Sequence, residues 1–158
     1  EGALAGFLPL DSESEYQDLI WSPDGGRFIL ATGGDRPDVT FTLYGEGMKK
    51  GKEFSGLRGA IEWADPLRFV YTRIDDVREG AVAHGRSFWF RFSVVLYDAP
   101  ADLETVLKEA TDTQNFILIS VSDDDVSILE KSVKSVKDWS DEDKIFDREI
   151  SVPIPAAG

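Results

Sequence analysis

The stretch Ile20-Trp21-Ser22-Pro23-Asp24-Gly25-Gly26-Arg27-Phe28-Ile29-Leu30 constrains this chain more than any other, because its pattern is that of a tight β-hairpin. Pro presets φ for the second turn position, Asp hydrogen-bonds its own backbone, and Gly accepts a positive φ. Apolar strands flank the turn on both sides. A fainter copy, Ile61-Glu62-Trp63-Ala64-Asp65-Pro66-Leu67-Arg68-Phe69-Val70-Tyr71, follows 42 residues on. A hairpin recurring at that interval suggests a β-propeller, in which each repeat is one four-stranded blade.

The rest of the chain can be read against that unit. Tyr16 to Trp21, Arg27 to Thr32, Val39 to Tyr44 and the start at Lys52-Glu53-Phe54 supply four strands. Ala60 to Trp63, Arg68 to Ile74 and Phe88 to Tyr97 supply three more, with an enlarged loop over Asp75 to Arg86. Phe88 to Tyr97 is apolar on both faces, as a strand between two packed layers is. Asn115 to Ser122, Val126 to Lys131 and Ile145 to Ile154 make a third, weaker set. The expected fold is therefore all-β, with about three antiparallel propeller-type blades over 16–58, 59–112 and 113–158, and 1–10 completing the last. All of these fall in one domain, 1–158. Ala101 to Ala110 fits a short helix as well as an outer strand, since Leu103, Val106, Leu107 and Ala110 fall at helical spacing. Ser132 to Trp139 is ambiguous in the same way. The rival architecture is a β-sandwich or curled sheet.

Trp21 to Gly25, with Leu96-Tyr97-Asp98 at the end of a third strand, resembles the repeats of TolB-like β-propellers. In that family the hairpin joins the first two strands of a blade and the third strand closes on Tyr-Asp. The resemblance implies blades that close a ring of roughly four to eight. This chain offers at most three, which implies a homo-oligomer, most simply a dimer. It also implies an exported, periplasmic protein. Trp21 and Trp63, at equivalent repeat positions, are expected in the core.

Charge bounds the partners. Thirty acids against 17 bases give a net charge of −13, which opposes nucleic acid and anionic membrane surfaces. No run of about 18 apolar residues exists, so no membrane insertion is expected. The start, Glu1 to Phe7, lacks the basic segment and long apolar stretch of a signal peptide, although a removed leader would leave no trace in this numbering. Cysteine is absent, which removes disulfides and thiolate chemistry.

Candidate chemistry is sparse. His84 is the only histidine, and Gly85-Arg86-Ser87-Phe88-Trp89 fails the nucleophile-elbow pattern at its last position. One His without Cys gives no zinc set. The acidic runs Asp123-Asp124-Asp125 and Asp138 with Asp141-Glu142-Asp143 lack calcium-loop spacing. No cofactor, metal or catalytic residue is expected. Arg73, Arg78, His84 and Arg86 lie in or beside the enlarged loop, and Trp139 stands among charges, so these five are the binding candidates. The expected function is a noncatalytic binding or assembly module that takes a protein or peptide through loops at one end of the blades. The alternative is a carboxylate-based hydrolase or carbohydrate-binding protein whose site forms on association. A pocket with converging carboxylates and aromatics would favour the alternative.

Overall fold

The structure, a computed structural model, describes residues 16–82 and 85–157, with the side chains of 78–89 outside the description. Ten strands occupy it: β1 (Tyr16–Trp21), β2 (Phe28–Gly33), β3 (Asp38–Tyr44), β4 (Lys50–Asp65), β5 (Arg68–Val82), β6 (Gly85–Asp98), β7 (Leu103–Lys108), β8 (Gln114–Val121), β9 (Asp125–Ser132) and β10 (Phe146–Pro153). β1 to β7 form one open antiparallel sheet in chain order, and β8 to β10 form a second. Among the described residues there is no α-helix, only short 3₁₀ turns at Glu46–Met48, Val136–Ser140 and Glu142–Lys144. None of these is long and apolar enough to cross a membrane.

This arrangement overturns the propeller blades, the TolB-like resemblance and the repeat. The all-β class stands, and the two open sheets agree with the sandwich or curled-sheet architecture instead. The decisive element is β4, which runs unbroken through the boundary expected at 58/59 and so belongs to both supposed blades. Gly56 and Gly59 let the strand bend there rather than stop. A Cβ on Gly56 would lie 2.3 Å from the Phe41 ring and 2.9 Å from the Thr72 carbonyl oxygen, and Gly59 has a φ of +77°. The register between β4 and β5 shifts between Gly56 and Ile61, so the two residues mark an irregularity inside one strand. Residues 1–10, assigned to complete the last blade, lie outside the described residues.

Two apolar clusters hold the sheets. On one face of the large sheet, Ile29, Phe41, Phe54, Trp63, Phe69, Tyr71, Val95 and Tyr97 pack together. The sheet bends around this cluster. Trp63 Nε1 donates to the Ile20 carbonyl at 3.1 Å, although two strands separate β4 from β1, which would place them about 14 Å apart if flat. On the opposite face, Ala60, Val70, Val94 and Leu96 meet Phe116, Leu118, Val126 and Ile128 of the small sheet. β6 is thus apolar on both sides because it lies between both clusters.

The small sheet sits with its β8 edge against the large one, and side chains replace the missing strand. Leu118 N donates to the buried Thr72 hydroxyl at 2.9 Å, and Val121 N donates to Glu62 Oε2 at 3.0 Å. Asn115 donates from Nδ2 to the Phe90 carbonyl and accepts from Phe92 N, both at 2.9 Å. An edge that would otherwise template association is satisfied within the chain.

Both sequence hairpins are hairpins, but their tryptophans diverge. Trp21, expected in the core, is 55% exposed and stacks obliquely on Phe28 at 4.8 Å, whereas Trp63 is 8% exposed and buried. The cause is spacing. Three positions separate Trp21 from Asp24 and only two separate Trp63 from Asp65, and a one-residue slip in a strand turns a side chain to the other face. Leu103–Lys108 is an edge strand, one of the two readings its pattern allowed. The segment expected as an enlarged loop differs from expectation: it is strand over 75–82 and 85–86, extending the β5–β6 pairing.

In the second hairpin Asp65 organises the turn. It accepts from Leu67 N and Arg68 N, each at 2.8 Å, and pairs with Arg68 Nε at 2.7 Å. Partial burial raises its pKa, but the hydrogen bonds from Arg68 and the Leu67 amide outweigh this and hold the carboxyl below the usual aspartate range. A carboxyl lowered in the folded state stabilises the fold fully above its unfolded pKa and loses that contribution as pH falls through the folded value. Asp65→Asn should therefore melt earlier than the wild type at neutral pH, with the gap closing below about pH 4. Thermal melts across that range check it, and a gap independent of pH would remove the carboxylate from the account.

Candidate functional site

A cleft of about 930 Å³ opens where β6, β8 to β10 and the 3₁₀ turns meet. Local rules position its walls. Phe90 and Phe92, two apart on β6, share a face and stack in parallel with ring centroids 5.5 Å apart. A register shift between Ile74 and Asp76 marks a bulge in β5, after which Asp76 stands opposite Arg91. Bulges re-aim neighbouring side chains, and here Asp75 turns to Arg73 and Ser93 while Asp76 lines the cleft. Across the small sheet, Asn115, Lys131 and Asp147 are direct cross-strand partners and form one row on the cleft wall.

Most of the charges here are held. Lys131 Nζ contacts both oxygens of Asp147 at 3.1 Å, and Arg91 pairs with Asp112. Trp139 is fixed by its Nε1, which donates to the Asp112 carbonyl at 2.8 Å, so its ring is half-buried against the connection from β7 to β8. Lys137 and Glu142 also line the cleft. Four acids thus stand against three bases, close to balance in a chain of strong negative charge. Among the described residues no three His, Cys, Asp or Glu side chains converge to hold a metal ion. The run Asp123 to Asp125 simply turns β8 into β9, with Ser122 N donating to the Asp125 carbonyl at 2.8 Å.

Of the five binding candidates, only Trp139 is seen lining the cleft. Arg73 is instead an internal strut, bonded to Asp75 at 2.6 Å and Glu104 at 3.1 Å. Glu104 also accepts from the Tyr71 hydroxyl at 2.5 Å, and burial together with this carboxylate pushes the phenol far above its usual pKa. Asp75 passes the network to Ser93, whose Oγ accepts from Ala110 N at 2.8 Å, tying β5, β6 and β7 together. Arg78 and Arg86 lie on β5 and β6, opposite Trp89 and Ala81, with side chains outside the described set. His84 lies outside the described residues altogether.

Sequence reasoning missed Asn115, Lys131, Asp147, Arg91 and Asp112 as site residues. The alternation that marked Phe90 and Phe92 as one face was visible, but the cross-strand row requires a register that no local pattern carries. No protein-family model matches the chain, and neither does any curated protein sequence or any solved structure.

Proposed function

We propose that the protein is a noncatalytic carbohydrate-binding module whose cleft takes a short, neutral oligosaccharide. One observation carries this reading: apolar aromatic faces and fixed ion pairs line the same cleft. Phe90, Phe92 and Trp139 offer flat surfaces, and Arg91–Asp112 and Lys131–Asp147 offer pre-oriented donors and acceptors. A sugar ring presents an apolar C–H face and a rim of hydroxyls, which matches both walls. A purely apolar ligand would desolvate the ion pairs without replacing their water. The balance of acids and bases in the cleft favours a ligand without net charge.

The cleft is contained within one chain, so the site does not wait for association. Binding is favoured over hydrolysis because two of the four cleft carboxylates, Asp112 and Asp147, are engaged by cations. A glycosidase acid instead needs a carboxyl set apart from positive charge, opposite a second one at about 5 to 9.5 Å. Export is part of the same proposal, and fractionation of cells carrying the native gene tests it.

Calorimetric titration against panels of neutral oligosaccharides and short peptides tests the ligand class. At least one oligosaccharide should bind, and Trp139→Ala should weaken it about tenfold or more. Binding of peptides with silence across the oligosaccharides would overturn the proposal, and release of reducing ends would overturn its noncatalytic part.

A further inference from the structure

The β5–β6 pairing outruns its neighbours. β4 pairs with β5 no further than Arg73, and β7 pairs with β6 no further than Val94. Beyond them, eight cross-strand pairs from Ile74–Phe92 to Val82–Gly85 continue as a two-stranded ribbon, roughly 25 Å long. Among the described residues no strand pairs with either of its edges. The Asn115 amide closes the first part of the β6 edge at Phe90 and Phe92. By alternation, the next backbone groups aimed away from β5 belong to Phe88 and Arg86.

Two-stranded ribbons alone are marginal in water, and an open edge is a template for another strand. The other outer edges carry guards. Asp18 bonds the Leu19 amide on β1 at 2.9 Å, Lys108 sits on β7, and β10 ends in Pro153. The two ribbon strands, 74–82 and 85–92, contain neither Lys nor Pro. Their charges also differ from those of the rest of the chain. Asp75, Asp76 and Glu79 are matched by Arg78, Arg86 and Arg91, whereas the whole chain carries −13. Two copies approaching elsewhere meet net repulsion, and here they do not.

We infer that the ribbon is a homodimerisation arm, the β6 edges of two copies pairing antiparallel across a two-fold axis to make a four-stranded ribbon. An isologous contact closes at two copies and leaves no edge of β6 open. The inference concerns the arm alone and stands independently of what the cleft binds.

Light scattering coupled to gel filtration tests it. The wild type should run at twice the chain mass of 17.5 kDa. Phe88→Pro, which removes an outward N–H without touching the bonds to β5, should run as a monomer. Because the chain lacks cysteine, Ser87→Cys provides a test that does not depend on proline being tolerated. With a short bismaleimide it should cross-link to a dimer, while Ser151→Cys on the small sheet should not. A monomeric wild type, a dimer unchanged by Phe88→Pro, or equal cross-linking from both cysteines would overturn the inference.

Discussion

Phe69→Ala should lower the free energy of unfolding by about 4 kcal/mol, the cost of truncating a fully enclosed phenylalanine. Phe69 has no exposed surface and touches four other rings: Trp63 and Tyr97 at 5.3 Å, Phe54 at 5.4 Å and Tyr71 at 5.8 Å. Each such pair adds about 0.5 to 1.5 kcal/mol beyond burial. Phe41 is equally enclosed, but among the described residues its one ring–ring contact is with Tyr71, at 6.2 Å. Phe41→Ala should therefore cost less, and the difference between the two variants measures the ring cluster itself. Against a typical total of roughly 5 to 15 kcal/mol, the Phe69 loss leaves a marginal fold. Urea denaturation of both variants gives the numbers. A Phe69 loss below about 2 kcal/mol would mean the neighbouring rings close the gap.

Asn115→Ala should cost about 3 kcal/mol, for a different reason. The residue is 9% exposed, and its amide serves the Phe90 carbonyl and the Phe92 N–H at once. Removing it strands both groups in a half-buried seam, where each unsatisfied group costs about 1 to 3 kcal/mol. Asn115→Asp separates the two bonds. A carboxylate still accepts from Phe92 N but faces the Phe90 carbonyl with oxygen against oxygen. Protonation restores a donor, so its deficit should be largest at neutral pH and shrink as the solution is acidified. Hydrogen exchange at the Phe92 amide should quicken in Asn115→Ala and stay slow in Asn115→Asp. Equal exchange in the two variants would show that the amide does not act through that bond.

Much of the local structure was legible, because local rules set it. The turn Ser22 to Gly25 forms as its residues require, with Gly25 N donating to the Ser22 carbonyl at 2.9 Å and Gly26 N to Asp24 at 3.0 Å. The double-sided apolar strand around Val94 and Val95 lies between two clusters for the reason its pattern suggests. What misled was treating two similar hairpins as units of one repeat. The number of residues between tryptophan and aspartate differs by one, and in a strand that difference decides which side is core. Leu103, Val106 and Leu107 carry helical spacing, yet form an edge strand in which Leu103 and Val106 stay exposed. Pairing with β6 overrides the pattern there. The cleft was hardest to foresee. Asn115 gives no signal as a single asparagine, and its role exists only once β8 lies against β6. Lys131 and Asp147 become a pair only through the register of β9 and β10.

The chain-order pairing of β1 to β7 has a consequence for how the molecule is made. Each of these strands finds its partner in the strand synthesised immediately before it, so the large sheet can zip as it leaves the ribosome, with short loop closures and low contact order. The second sheet emerges later. Until β8 arrives, Val70, Val94 and Leu96 face water, and the Phe90 and Phe92 backbone lacks its amide clamp. The nascent protein thus passes through an interval in which a finished sheet displays an unfinished apolar face. That interval is when it is most exposed to aggregation and most in need of a chaperone.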